Sequence, residues 1–338
     1  MKSIPTGSSL LQVRSKNLAV VFTAIRQLGL VSRIELVEYT QLTPSTITNM
    51  VNELLRWNLL LEVGSAASQG GRRRTMLSLN AQAGWVIALV VYPNHIQGGL
   101  VNLAGQVGWY ESIGIDAGDD VQAAWSAERL YQTLAVQAQE RKWDVIGAGI
   151  TGIDSSAMQG TPWWRTYRPK SAALPVKTEY LARSAAMAEA WYGCGRKHAS
   201  MVYFDAEATP CVGVVLGNEL YVGAHGRSGI LSTVQPLPLD VCGLDAQAAA
   251  MLAAAVFSFD PDLVVLGGSA VPYKVAQWTQ WIHGLGLQSR ICPAELGSDA
   301  GLIGTACIVL EDFFTDPIGR LAEMSVTPQW CLSPIAND

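Results

Sequence analysis

Between residues 16 and 28 the apolar positions Leu18, Val21, Phe22, Ile25 and Leu28 recur every three or four residues, the period of a helix with one buried face. Gly29 is a suitable residue to end it. Ser32, with Glu35 three residues on, makes a capping box for a second helix whose apolar side is supplied by Ile34, Leu36, Val37 and Tyr39. Gln41-Leu42-Thr43 is the turn that follows, and Thr43-Pro44 starts a third helix, because threonine caps and proline suits the first helical position. In that helix Ile47, Met50 or Val51, Leu54 and Leu55 face inward, which leaves Ser45, Thr46, Thr48, Asn49 and Asn52 outward. Residues 59–63 and 75–79 read as two strands around a Gly- and Ser-rich loop that ends in Arg72, Arg73 and Arg74.

After Asn80 the pattern changes. Residues 85–92 form a continuous apolar run, a buried strand, and 98–107 read as a second strand with a hairpin turn. A helix over about 121–140 precedes a strand at 144–150. A second set follows: a helix near 184–193, strands at 200–205, 212–216 and 219–222, a helix through 246–257 and a strand at 263–266. Strands then helix then strand is the pattern of an α/β layer.

Composition narrows the class. With 49% hydrophobic and 15% charged residues the chain is globular rather than disordered. No uninterrupted apolar run is long enough for a membrane span, and Met1-Lys2-Ser3-Ile4-Pro5 lacks the apolar core of a signal peptide, so a cytoplasmic protein with no membrane partner is expected. Cys194, Cys211, Cys242, Cys292, Cys307 and Cys331 never form a Cys-x-x-Cys pair; reduced, mostly buried thiols are expected, without a zinc knuckle or a disulfide framework.

Charge is distributed unevenly. Residues 1–80 hold nine Lys or Arg against four acids, a net +5, so within an overall −5 the remainder carries −10. A basic head on an acidic body points to a polyanion bound by the head alone. The short, uncharged donors and acceptors Ser45, Thr46, Thr48, Asn49 and Asn52 suit base edges and phosphates in a major groove, and Arg72, Arg73 and Arg74 suit phosphates or a minor groove. Each piece alone fits ordinary packing or a solvated surface. Their joint order, inside the basic segment, predicts a winged helix-turn-helix that binds double-stranded DNA.

The most specific stretches are 32–58, Met187-Ala188-Glu189-Ala190-Trp191-Tyr192-Gly193, the run 213–229, 260–268 and Ala300-Gly301-Leu302-Ile303-Gly304-Thr305-Ala306. Over about 17–314 the chain resembles the ROK family, whose name combines repressors, uncharacterised reading frames and sugar kinases. The resemblance implies an α/β fold in which the winged helix precedes a two-lobed, actin-like, sugar-kinase-like body. The chain then divides into 1–80, 81–180 and 181–338, and the helix near 300–314 is a candidate to return to the first lobe.

Departures from the family pattern bear on function. Family kinases hold phosphate on a Gly-rich strand-turn, where backbone N–H groups crowd an anion; here the turn is Val91-Tyr92-Pro93-Asn94-His95-Ile96. The family's aspartate base falls, by register, on Leu181, which accepts no proton. The sugar-gripping Glu and zinc-binding His that follow Gly229 are replaced within Ile230-Leu231-Ser232-Thr233, and the Cys-rich zinc loop is reduced to Cys242. Trp163 and Trp164 are candidates for sugar stacking, with packing the favoured reading; His95, His225 and His283 read as surface or structural, and Gly267-Gly268 as a closely packed strand end. The expectation is a DNA-binding regulator, a homodimeric repressor on an inverted repeat, with no catalytic, cofactor or metal residues. A sugar-like effector is a candidate ligand. The alternatives are an active sugar kinase and a DNA-binding protein whose body only dimerises.

Overall fold

The computed structural model describes residues 10–66, 74–153, 161–172, 174–205, 211–229, 246–268 and 275–323. Its head contains α1 (Leu10–Leu28), β1 (Val31–Ser32), α2 (Arg33–Thr40), α3 (Pro44–Arg56), β2 (Leu60–Ala66) and β3 (Arg74–Leu79). The strands form an antiparallel sheet in the order β1-β3-β2. Local chemistry sets the boundaries. Gly29 adopts φ 76° and its N–H reaches back to the Ile25 carbonyl at 2.9 Å, which closes α1. The Ser32–Glu35 capping box opens α2, and the Thr43 hydroxyl accepts from the Thr46 amide to open α3, with Pro44 in its first turn.

Leu18, Val21, Phe22 and Ile25 are buried as the periodicity requires, and so are Leu36, Ile47, Met50, Val51 and Leu54. Val37 and Leu55 are half-buried, and three expected core residues are exposed. Leu28, Ile34 and Tyr39 are 39%, 49% and 53% exposed. The small core is filled by α1 and α3, so α2 at its rim fully buries Leu36 alone, and Tyr39 points outward to donate to Gln27 Oε1 at 2.9 Å.

The body is a duplicated α/β unit. Its first sheet comprises β4 (Trp85–Val91), β5 (His95–Asn102), β6 (Val107–Gly114), β7 (Val145–Gly152) and β8 (Val176–Tyr180), with α4 (Asp120–Glu140) and α5 (Trp163–Thr166) inserted along the chain. After α6 (Leu181–Tyr192) come β9 (Ser200–Asp205), β10 (Cys211–Leu216), β11 (Glu219–Leu220), α7 (Ala246–Phe259), β12 (Leu263–Gly267), α8 (Val275–Gly284) and β13 (Arg290–Pro293). α9 (Ala300–Thr315) and α10 (Pro317–Glu323) complete the described chain. The sheet orders are β6-β5-β4-β7-β8 and β11-β10-β9-β12-β13. In each, the first three strands in sequence pair antiparallel and the last two join in parallel. The edge strands β8 and β13 carry no sustained apolar alternation, so the pattern along the chain does not mark them.

Every residue of β4 is buried because its sheet is covered on both faces. Neighbouring glycines of β5 show the two coverings. A Cβ on Gly98 would lie 2.7 Å from Leu130 of α4, and one on Gly99 2.9 Å from Leu302 of α9. α9 therefore packs on the first sheet although it follows the second sheet in sequence. Its other flank meets α6 so closely that a Cβ on Gly304 would collide with the Ser184 carbonyl. Thr305 of α9 and Thr151 of β7 share a buried hydroxyl hydrogen bond of 2.6 Å.

The head docks on this same pair of helices. Phe22 of α1 lies 4.7 Å from the Phe314 ring and 6.2 Å from Phe313. Arg26, one turn on, places its guanidinium 3.8 Å from the Trp191 ring centroid and 5.2 Å from Phe314. Burial pulls its pKa below the usual arginine value, and Nε and Nη1 have no hydrogen-bond partner among the described residues. The aromatic faces are what compensate the charge for lost water. Trp191→Ala is therefore expected to cost about 2–4 kcal/mol, whereas Arg26→Met should change stability by less than about 1 kcal/mol. Urea unfolding of both variants checks this, and equal losses would show that the guanidinium is not held by the rings.

Candidate nucleic-acid interface and interlobe cleft

Ser45, Thr48, Asn49 and Asn52 of α3 are exposed and, at spacings of three and four, lie on one face of the helix. Ile47, Met50, Val51 and Leu54 hold the opposite face in the head core, so the orientation of the polar face is set by packing. Thr46 departs from its expected outward role: it is half-buried, and its hydroxyl lies 2.9 Å from Thr43 Oγ1 at the cap. Thr48 Oγ1 donates to the Pro44 carbonyl at 2.8 Å, which leaves its lone pairs and methyl group outward. Arg74 is exposed at the start of β3, where the chain leaves the wing; Arg72 and Arg73 lie outside the described residues.

Not all of the head's positive charge is left unpaired at its surface. Arg14 pairs with Glu53 at 2.7 Å, fixing α1 to α3, and Arg33 pairs with Glu62 at 3.0 Å, fixing α2 to β2. Arg26 is spent on the body. Exposed cations that remain include Lys16, Arg56 and Arg74. Net charge alone does not separate these structural arginines from the surface ones.

A second candidate site is a cleft of about 510 Å³ between the lobes, within the usual range for a small-molecule pocket. Tyr92 and His95 line it from the first sheet, Tyr203, Asp205 and Gly268 from the second, and Leu181 from α6. The turn linking β4 to β5 offers little to a phosphate. The Tyr92 N–H is committed to the His95 carbonyl at 2.9 Å, and Pro93 has no N–H. The two rings stack at 4.5 Å across 9°, and burial pushes His95 below its ordinary value, so its imidazole is neutral at pH 7. No Lys or Arg occurs among the described lining residues, whereas Asp205 brings a carboxylate.

Leu181, which the register places at the family's base position, is buried and faces this cleft. Trp163 and Trp164 do not line it. Trp164 is buried against Gly152 and stands edge-on to Tyr180 at 5.5 Å, while Trp163 meets Tyr167, so both are packing residues. Gly267 is closely packed as expected, since a Cβ there would collide with the Tyr203 hydroxyl. His225 and His283 are exposed, and positions 230–233 and Cys242 lie outside the described residues. No group of three or more potential metal ligands occurs among the described residues.

Sequence reasoning missed Arg183 and Asp205. Arg183 is 2% exposed; it donates to the Ser228 carbonyl at 2.8 Å through Nε and to the Gly226 carbonyl at 2.9 Å through Nη2, and it pairs with Glu179 at 3.0 Å. It thereby ties β8 of the first lobe to the 226–228 turn of the second. A lone charge in the mostly apolar stretch from Leu181 to Met187 was the available signal.

A winged head bearing a polar helix face, docked on a duplicated α/β body around a cleft, is a regulator-like head joined to a sugar-kinase-like body. No family model matches the chain. The xylose repressor of Bacillus subtilis is 28% identical over 228 residues, 64% of this chain and 59% of that protein. The DNA-binding transcriptional dual regulator NagC of Escherichia coli is 23% identical over 250 residues, 67% of this chain and 59% of NagC. The chain thus spans about 59% of the length of each of these curated relatives. Among solved structures, a ROK family transcriptional regulator described as a homolog of E. coli MLC superposes with a TM-score of 0.67 at 18% identity, over 92% of this chain and 99% of that one. A ROK hexokinase from Thermus thermophilus superposes with 0.52 at 20% identity, over 68% and 99%. By fold the chain is similar to these ROK structures, and in sequence it is similar to the two repressor-type regulators. No helix among the described residues is long and apolar enough to cross a membrane.

The entry to α3 depends on α2, whose capping box is titratable. The Ser32 amide and hydroxyl donate to Glu35 Oε2 at 2.7 and 2.8 Å and hold the carboxyl below its usual range. A depressed pKa stabilises the fold above the unfolded value of about 4.3, and that contribution is lost as pH falls through the folded value. Glu35→Gln should therefore show a smaller fall in unfolding free energy between about pH 5 and 3 than the wild type, and Ser32→Ala should cost about 1 kcal/mol at pH 7. Denaturant titrations across pH check both; parallel profiles for Glu35→Gln and wild type would remove the box from the acid response.

Proposed function

We propose that this chain is a DNA-binding transcriptional regulator of the ROK type, a cytoplasmic homodimeric repressor whose body senses a small uncharged ligand and does not phosphorylate it. The observation that carries the reading is the exposed polar face of α3, formed by Ser45, Thr48, Asn49 and Asn52. The names of the sequence relatives support it. On this reading Asn49 and its neighbours, with Thr46 at the rim, read base edges, and Arg72, Arg73 and Arg74 supply phosphate or minor-groove affinity. The same reading divides the chain at 1–80, 81–180 and 181–338, with α9 counted with the first lobe that it packs on.

Asn49→Ala should relax sequence preference and cost roughly 1–3 kcal/mol at the preferred site, the worth of a bidentate hydrogen bond to a base edge. Replacing Arg72, Arg73 and Arg74 should weaken specific and random DNA together, and flatten the salt dependence by about one unit of slope for each phosphate that is no longer neutralised. Two heads in a dimer should select an inverted repeat with half-sites about one or two helical turns apart. Binding is measured against salt on selected and random duplexes. An Asn49 variant that weakens equally on both, or an arginine variant with the wild-type slope, overturns the assignment.

The cleft carries the second half of the reading. Leu181 provides no base, and the Tyr92–His95 turn and Asp205 disfavour a polyphosphate. Coupled assays with ATP should find no sugar turnover in the usual range of about 1–10³ per second. In a thermal-shift screen, neutral sugars that bind should raise the melting temperature while their phosphate esters do not. ATP-dependent turnover restores the kinase reading; silence across the sugar panel leaves the body a dimerisation unit.

A further inference from the structure

Four of the described cysteines are Cys194, Cys211, Cys292 and Cys307, and two of them meet. Cys194 opens the short 3-10 turn after α6, and Cys292 lies on β13, the edge strand of the second sheet. Their Sγ atoms are 3.2 Å apart, in hydrogen-bond contact. Both side chains are partly exposed, whereas Cys307 is fully buried in the main core.

The surroundings of the pair are asymmetric. Glu189 is completely buried one turn before Cys194, and its carboxylate accepts from the Cys194 amide at 3.1 Å and from the Leu296 amide at 2.9 Å. Its Oε2 also lies 3.4 Å from Cys194 Sγ. The two thiols are therefore not equivalent. Cys194 is pushed up by its contact with Cys292, by burial and by Glu189, toward which its thiol hydrogen is directed. Cys292 is pulled down, first by its contact with the Cys194 sulfur and further by the nearby Arg290. The lower-pKa, accessible thiol with a second thiol in contact is the arrangement that oxidants attack.

We infer that Cys194 and Cys292 form a peroxide-oxidisable dithiol, in which Cys292 is attacked first and Cys194 resolves it into a disulfide. In the first step the Cys292 thiolate attacks one oxygen of hydrogen peroxide, the O–O bond breaks, and hydroxide leaves to take up the proton that Cys292 released. In the second, Cys194 sulfur attacks the sulfenic acid, the S–O bond breaks, and the departing hydroxyl leaves as water with the Cys194 proton. Two thiols and one peroxide become one disulfide and two waters. The sulfurs have to close from 3.2 Å to a bond of about 2.05 Å, a local movement at a strand edge and a turn.

The bond would connect two parts of the molecule that matter elsewhere. On the β13 side it adjoins Pro293 and Ala294, which line the interlobe cleft. On the α6 side it lies two residues before Arg196, whose Nη2 donates to the Gln27 carbonyl of the head at 3.1 Å. The inference stands on the thiol geometry and does not depend on the proposed DNA-binding role.

The test uses the full chain, reduced and then titrated with hydrogen peroxide, followed by alkylation under denaturing conditions and peptide mapping. The expected result is the loss of two thiols per chain, a mass decrease of two hydrogens and a cross-linked peptide pair containing Cys194 and Cys292, all reversed by dithiothreitol, with a higher melting temperature for the oxidised protein. Cys194→Ser should stop at a sulfenic acid on Cys292 that dimedone traps. Cys292→Ser should abolish both adduct and cross-link. Oxidation first at Cys211, Cys242, Cys307 or Cys331, or a sulfenic acid that forms on Cys194 in the Cys292→Ser protein, overturns the proposal. The wild-type cross-link map decides the matter even if a serine variant folds poorly.

Discussion

The contact on which the rest depends is the seating of α1 on α9 and the end of α6, where Phe22 meets Phe313 and Phe314 and Arg26 lies over Trp191. Without it the head and the body would be two units joined by a short connection. With it, one apolar cluster runs from Leu18 and Ile47 of the head into Ala306 and Leu310 of the body. Aromatic and aliphatic burial supplies most of the attraction. The guanidinium adds orientation, because it can be desolvated only where rings replace its water.

α9 can play this part because it is packed on several sides. Gly99 on the sheet and Gly304 on the helix permit close approaches that any side chain would block. Such close packing transmits displacement, since the interior has no slack to absorb it. α6, α9 and the turn at Arg196 stand between the cleft and the head, so a change in lobe angle has a direct mechanical path to α1. On the proposed function this is the physical basis for an effector to alter DNA binding.

On the proposed function, the cleft keeps a kinase-like fold without a kinase's chemistry. The strand order that encloses the pocket is intact in both lobes. The groups that line it include a stacked Tyr92–His95 pair, the Asp205 carboxylate and the Leu181 side chain. Arg183, buried beside the cleft without lining it, has its donors occupied by the 226–228 turn and Glu179, so it acts as a tie between lobes.

The local elements of this chain were set by its sequence alone. Periodicity and caps placed α1, α2 and α3; uninterrupted apolar runs placed β4, β7, β9 and β12, because nearest-neighbour sterics and one-face burial leave their mark on consecutive residues. The polar face of α3 was legible for the same reason: it is the complement of an apolar face. Tertiary structure alone decided which polar groups were spent internally. Arg26, Arg14 and Arg33 look like any other cations of a basic head until their partners Trp191, Glu53 and Glu62 arrive from distant positions. The exposure of Tyr39, the edge strands β8 and β13, the buried tie of Arg183 and the meeting of Cys194 with Cys292 belong to the same category. Each depends on what lies opposite in space, and a chain read along its length contains no record of that.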